Sequence, residues 1–174
     1  EPNRMSIGHG GNGTAMQLTA LTFVSMADVK INVVPYRGTA PAVTDAIAGH
    51  VQLAIADPPP SLGAIREGKL KAIAVSSKQR FPVFPDVPTF DEMGLKGFDI
   101  TGWFGIAAPG GTPREIVMKL NVAVVAALKD PEVVRRIRVV GMEPTPTTPE
   151  EFSAFLESEI VKLAKFQTSD HKPK

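Results

Sequence analysis

The sequence predicts an α/β fold, with a compact strand-and-helix part on a parallel sheet followed by a part that is mostly helix. Three observations point there. Short apolar runs alternate with stretches of helical spacing, and the links between them are short, which is how parallel strands joined by right-handed helical crossovers read. Aromatic residues make up only 6% of the 174, so Val, Ala, Ile and Leu have to fill the core, as suits helices layered on a sheet. Glycine, threonine and proline recur where strands give way to helices.

In chain order, residues 5–7 are a short strand and residues 8–13 a glycine-rich loop that carries His9 and Asn12. Residues 14–26 put Met16, Ala20, Leu21, Phe23 and Val24 at helical spacing. Residues 30–36 are a strand rich in β-branched side chains. Thr39 caps a helix over residues 40–48, with Pro41 in its first turn and Gly49 as its stop. Residues 51–56 form another buried strand; Asp57 and three prolines then make a stiff turn. Ser61 starts a short helix ending near Gly68, and residues 70–76 are a fourth strand.

Residues 80–88 carry three prolines and read as an extended surface excursion. A helical turn over residues 89–93 stops at Gly94, and residues 103–108 read as a strand. After a Pro-Gly-Gly turn, Thr112 caps a helix with Pro113 in its first position, running to about Leu128. Asp130-Pro131 starts the next helix, to about Val140, and residues 141–144 are a short strand. Thr148 and Glu151 have the spacing of a capping box and open a last helix to about Phe166. The chain thus divides into residues 1–100, a βα layer; 101–166, short of strands to pack on; and 167–174, a polar, disordered tail.

Composition narrows the function. Hydrophobic residues are 43% and charged residues 21%, ordinary for a soluble domain. A formal net charge of +1 gives no electrostatic case for nucleic acid, and Arg135, Arg136 and Arg138 read as a solvated helix face. There is no cysteine, hence no disulfide and no thiolate zinc site. No apolar run approaches the roughly 20 residues that span a bilayer, so direct membrane insertion is not expected. The polar opening Glu-Pro-Asn-Arg is no leader pattern, which fits a mature exported protein and a cytosolic one equally.

Open parallel sheets bind ligands beyond the carboxyl ends of their strands. Three such ends carry suitable chemistry. Residues 8–14 offer backbone amides before a helix, a ready anion site. Gly38 and Thr39, after Arg37, repeat the pattern. Asp57 ends a strand and can accept from a hydroxyl, amine or water. Each also has a plainer reading: a connecting loop, a helix cap, a turn former. Gly8, Gly10 and Gly13 match the dinucleotide fingerprint, yet the strand before them is very short and no acid ends the next one. His9 reads as a solvated loop residue, with no second ligand at metal spacing. No nucleophile–base set stands out, so neither enzyme activity nor a metal or cofactor is expected.

Several of these pieces, in order, resemble one family. They are residues 8–14 before a helix with Leu18; Val34-Pro35-Tyr36-Arg37-Gly38-Thr39-Ala40-Pro41-Ala42; Gly68-Lys69-Leu70-Lys71-Ala72; Pro85-Asp86-Val87-Pro88-Thr89; and Trp103-Phe104-Gly105 through Pro109-Gly110-Gly111-Thr112-Pro113. Over residues 5–166 the chain resembles the Bug solute-binding proteins, the receptors of tripartite tricarboxylate transport systems. The resemblance implies a type II periplasmic binding-protein fold with two α/β lobes around a cleft. It implies a periplasmic receptor that captures a small organic carboxylate and passes it to membrane transporter subunits. Gly11, Asn12, Gly13, Thr14, Gly38, Thr39 and Asp57 would hold the ligand. It further implies that residues 1–100 are the second, ligand-binding lobe and 101–166 a return into the first lobe. The N-terminal part of that first lobe would be missing, as in a truncated product or one completed by association between chains. The alternatives are a nucleotide-dependent enzyme using the glycine loop and a ligand-sensing regulatory domain.

Overall fold

The computed structural model describes residues 5–167, so the tail expected from 167 onward lies outside the described residues except for Gln167, which closes a helix. The chain divides between Gly102 and Trp103 into two compact units.

The first unit is built on three parallel strands, β1 (Ser6–His9), β2 (Asn32–Pro35) and β3 (Leu53–Ala54), in the order β2-β1-β3. Ser6 pairs with Asn32 and His9 with Pro35, while Ile7 and Gly8 pair with Leu53 and Ala54. Between the strands run α1 (Ala15–Met26) and α2 (Thr39–Ala48), and α3 (Pro58–Arg66) follows β3. Being central, β1 has Ile7, Gly8 and His9 all buried, and so it lacks the polar alternation of a half-exposed strand. Gly49 ends α2 in the left-handed conformation (φ 80°), and the next amide, His50 N–H, returns to the Asp45 carbonyl (2.9 Å).

The core joins Ile7, Ala20, Ala42, Val43, Val51 and Leu62 with Phe98 and Ile100, each about 1% exposed, from the segment after α3. Burying each of the valine, leucine, isoleucine and phenylalanine side chains stabilises by about 1.5–3 kcal/mol. Phe90 stacks between Phe23 (5.3 Å) and Phe98 (4.6 Å), tying that segment to α1.

The fourth strand expected at residues 70–76 does not form. Val75 donates to the Pro88 carbonyl (2.9 Å) and accepts from Phe90 N–H (3.0 Å), making one isolated bridge with Thr89, while Ile100 N–H donates to the Ser76 carbonyl (2.9 Å). Backbone groups spent on the returning chain cannot extend a ladder.

In the second unit, α4 (Arg114–Lys129) packs with α5 (Pro131–Val139) and α6 (Pro149–Gln167). Among the described residues it has no strand: residues 103–108 and 141–144 are irregular. A strand needs a partner ladder for its N–H and C=O groups, and none lies in this unit. Trp103 meets Phe152 and Phe155 edge-on at 5.7 and 5.4 Å. Pro113, expected inside α4, stands just before it, and the Thr112 hydroxyl turns back to the Pro109 carbonyl (2.8 Å), so it caps nothing. At α6 the capping box forms as read: Thr148 N–H donates to Glu151 Oε2 (2.8 Å) and Glu151 N–H to Thr148 Oγ1 (3.1 Å).

Candidate functional site

The carboxyl ends of β1, β2 and β3 point to one edge of the sheet, because all three strands are parallel. The loop after β1 is shaped by side chains at its far end. Thr14 is the N-cap of α1; its Oγ1 accepts from Gln17 N–H (3.3 Å) and donates to the Gly11 carbonyl (2.7 Å). Gln17 accepts from Gly13 N–H (2.7 Å) and donates to Asn12 Oδ1 (3.0 Å). Asn12 and Gly13 stand exposed at the tip; Gly11 and Thr14 are half-buried. Thr-x-x-Gln, a capping-box spacing, was the available signal for Gln17.

The second loop locks onto the first. Gly38 N–H donates to the Gly10 carbonyl (3.1 Å). A Cβ on Gly10 would come within 2.9 Å of Thr39 Oγ1 and 3.3 Å of Thr39 N, so only glycine permits this approach. Gly38 is the N-cap residue of α2, and Thr39, expected to cap, is its first residue. The Thr39 hydroxyl is buried and donates to Asp57 Oδ2 (3.0 Å). The structure therefore brings Gly38, Thr39 and Asp57 together at Gly10, with Gly11 to Thr14 in the adjoining loop.

The expected stiff turn at Asp57 is instead the start of α3, with Asp57 as N-cap and Pro58, Pro59 and Pro60 as its first three residues. The opening N–H groups of any helix lack partners inside it, and proline has none to leave unpaired. The Asp57 carboxylate accordingly makes no capping bond and is spared for Thr39. Ser61, expected to open this helix, lies a turn inside it, with its hydroxyl donating to the Asp57 carbonyl (2.8 Å).

His9 corrects another expectation. It is 1% exposed and ends β1, because the strand runs two residues past its predicted end at residue 7. Burial holds its pKa below the ordinary imidazole value, against a smaller opposing pull from the Gly11 backbone. Beside it, Tyr36 donates from its hydroxyl to Asp45 Oδ2 (2.7 Å), which raises the phenol pKa and lowers that of the carboxylate; His50, 3.4 Å from Asp45 Oδ1, adds to the latter. The Tyr36 ring covers Gly8, where a Cβ would meet it at 3.0 Å. Gly8 and Gly10 thus serve close packing against Tyr36 and Thr39, a sufficient reason for two of the three fingerprint glycines.

The edge offers small hydroxyls, backbone amides and one carboxylate in fixed positions, a set suited to holding and orienting a polar ligand. Among the described residues there is no group of three or more His, Asp or Glu placed to hold a metal ion.

A family model described as "Tripartite tricarboxylate transporter family receptor" matches residues 1–167. Protein BugT of Bordetella pertussis is 34% identical over 163 residues, 94% of this chain and 50% of that one. The solved structure of R. palustris Rpa4515 with adipate is similar at a TM-score of 0.90 and 33% identity, covering 95% of this chain and 56% of that one. MatC from Rhodopseudomonas palustris with bound malate gives 0.83 and 34%, covering 94% and 57%. The chain spans about half the length of the curated relatives it matches, as BugT shows at 50%. The α/β fold expected from the resemblance is the one these structures share with it. By the match of a single receptor model from residue 1 to 167, the chain belongs to the receptor family of the tripartite tricarboxylate transporters.

Proposed function

We propose that this chain holds the ligand-binding lobe of an extracytoplasmic, periplasmic receptor that captures a small organic carboxylate for tripartite tricarboxylate-type uptake. The meeting of Gly10, Gly38, Thr39 and Asp57 at one sheet edge is the observation that carries the reading. Two relatives solved with adipate and malate give the ligand class. Residues 1–100 form the lobe that bears Gly11, Asn12, Gly13, Thr14, Gly38, Thr39 and Asp57; residues 101–166 return into the other lobe. The carboxylate is held by backbone amides and small polar side chains, Asp57 accepts from a ligand hydroxyl or a water, and the loaded receptor docks on membrane transporter subunits. The protein binds and releases without turnover.

No helix among the described residues is long and apolar enough to cross a membrane. In the second unit Phe104, Ile106, Val122, Ile160 and Val161 are each more than 60% exposed, and we propose that this surface is covered in the working receptor, in this chain alone by association between copies. Sedimentation of the isolated chain is expected to show concentration-dependent association.

A thermal-shift panel of mono-, di- and tricarboxylates beside NAD(P)(H) tests the main reading. It is run on the chain and on a fusion to the half of BugT that lies outside the match. A ligand at 100 times its Kd adds about 2.7 kcal/mol. A carboxylate shift on either protein supports the receptor; a shift with nucleotide alone overturns it.

A further inference from the structure

Gly11 is gripped on both sides of its peptide. Its N–H donates to His9 Nδ1 (3.2 Å), and its carbonyl accepts from Thr14 Oγ1 (2.7 Å). The same carbonyl also lies 3.1 Å from His9 Nδ1. A ring nitrogen either carries a proton or accepts one, so only one of the two His9 contacts holds at a time. The carbonyl already has the Thr14 hydroxyl, whereas the Gly11 N–H has no other acceptor among the described residues. A ring 1% exposed also disfavours the doubly protonated form, which would leave that N–H facing a second donor.

We infer that His9 is a positioning residue of the proposed ligand site: with its proton on Nε2, it accepts the Gly11 N–H through Nδ1 and fixes the Gly11 peptide with its amide turned away from the ligand. Gly13 N–H is likewise taken, by Gln17 Oε1 (2.7 Å). Of the four loop residues predicted to hold a carboxylate, Asn12 and Thr14 then keep free N–H groups among the described residues, and Gly11 and Gly13 act by shaping the loop. His9 sets which amides a ligand meets without touching the ligand. The inference rests on the receptor reading only in treating this loop as part of the ligand site.

Two readouts on the 174-residue chain test it. Long-range ¹H–¹⁵N NMR at neutral pH, with His9→Asn identifying the signals, is expected to show the Nε2–H tautomer and a coupling from the Gly11 amide proton to His9 Nδ1. An Nδ1–H tautomer overturns the inference, whether or not the chain binds any ligand. The second readout is affinity for adipate and malate, measured by calorimetry on the fusion described above. Asparagine can accept from the N–H two residues on, so His9→Asn restores the acceptor and is expected to stay within about threefold of wild type. His9→Leu removes the acceptor and is expected to lose about tenfold in affinity, with a lower melting temperature. Equal affinity in all three proteins overturns the inference. Absence of binding by the wild type counts against the receptor reading instead, and the NMR result then decides the role of His9.

Discussion

Thr22 is buried on α1, and its hydroxyl has no partner among the described residues. A buried polar group without a bond forfeits its hydration for nothing, so Thr22→Val, which keeps the branched shape, is expected to stabilise the chain by about 1 kcal/mol in urea titration. Asp57 gives the contrasting case. Asp57→Asn keeps an acceptor for Thr39 and removes the charge. Malate has a hydroxyl to donate and adipate has none, so malate affinity is expected to fall about tenfold more than that of adipate by calorimetry. The melting of α3 should not move, since no side-chain cap bond is lost. That Thr39 and Asp57 follow strands was legible in the sequence. Their partners were not: that Thr39 serves Asp57 depends on two residues 18 apart in sequence, and no local spacing encodes that contact.

Helices were more legible than strands. A helix closes its hydrogen bonds within itself, so spacing and caps suffice to locate α1, α5 and α6 to within a residue or two. A strand lasts only as long as its neighbour. Residues 51–56 are apolar except for Gln52, but only Leu53 and Ala54 pair along β1. Residues 103–108 have the composition of a strand and, within their unit, nothing to pair with. Caps carry the energy at this scale. Thr148→Ala breaks one arm of the α6 box and is expected to cost about 1 kcal/mol, read as a lower denaturation midpoint. The exposed pair Arg114–Glu150 (2.7 Å) joins α4 to the same helix, and its removal is expected to change the midpoint little.

For the molecule as a whole, pH sums the separate titrations. His9 has a lowered pKa, so the folded state disfavours its protonation; its contribution is complete above the ordinary value of 6.5 and is lost as pH falls below it. Asp45 and Asp91, ordinarily 3.8, and Glu92 and Glu132, ordinarily 4.5, are lowered by hydrogen bonds and follow the same sign further down. Tyr36, raised from 10.0, contributes below that value and loses its share as pH rises through its folded pKa. Melting temperature against pH is therefore expected to be flat between about 7 and 9, to fall first below about 6.5 and to steepen below about 4.5. His9→Asn should abolish the first decline and keep the second.

The prolines that open α3 have one more consequence. In most proteins the residue before a helix answers to selection twice, once for what it recognises and once for the helix it starts, and exchanging it damages folding. With Pro58, Pro59 and Pro60 behind it, position 57 is released from the second demand. A lineage of receptors can vary that side chain with no helix penalty, and the structural demand left on position 57 is an acceptor for the Thr39 hydroxyl.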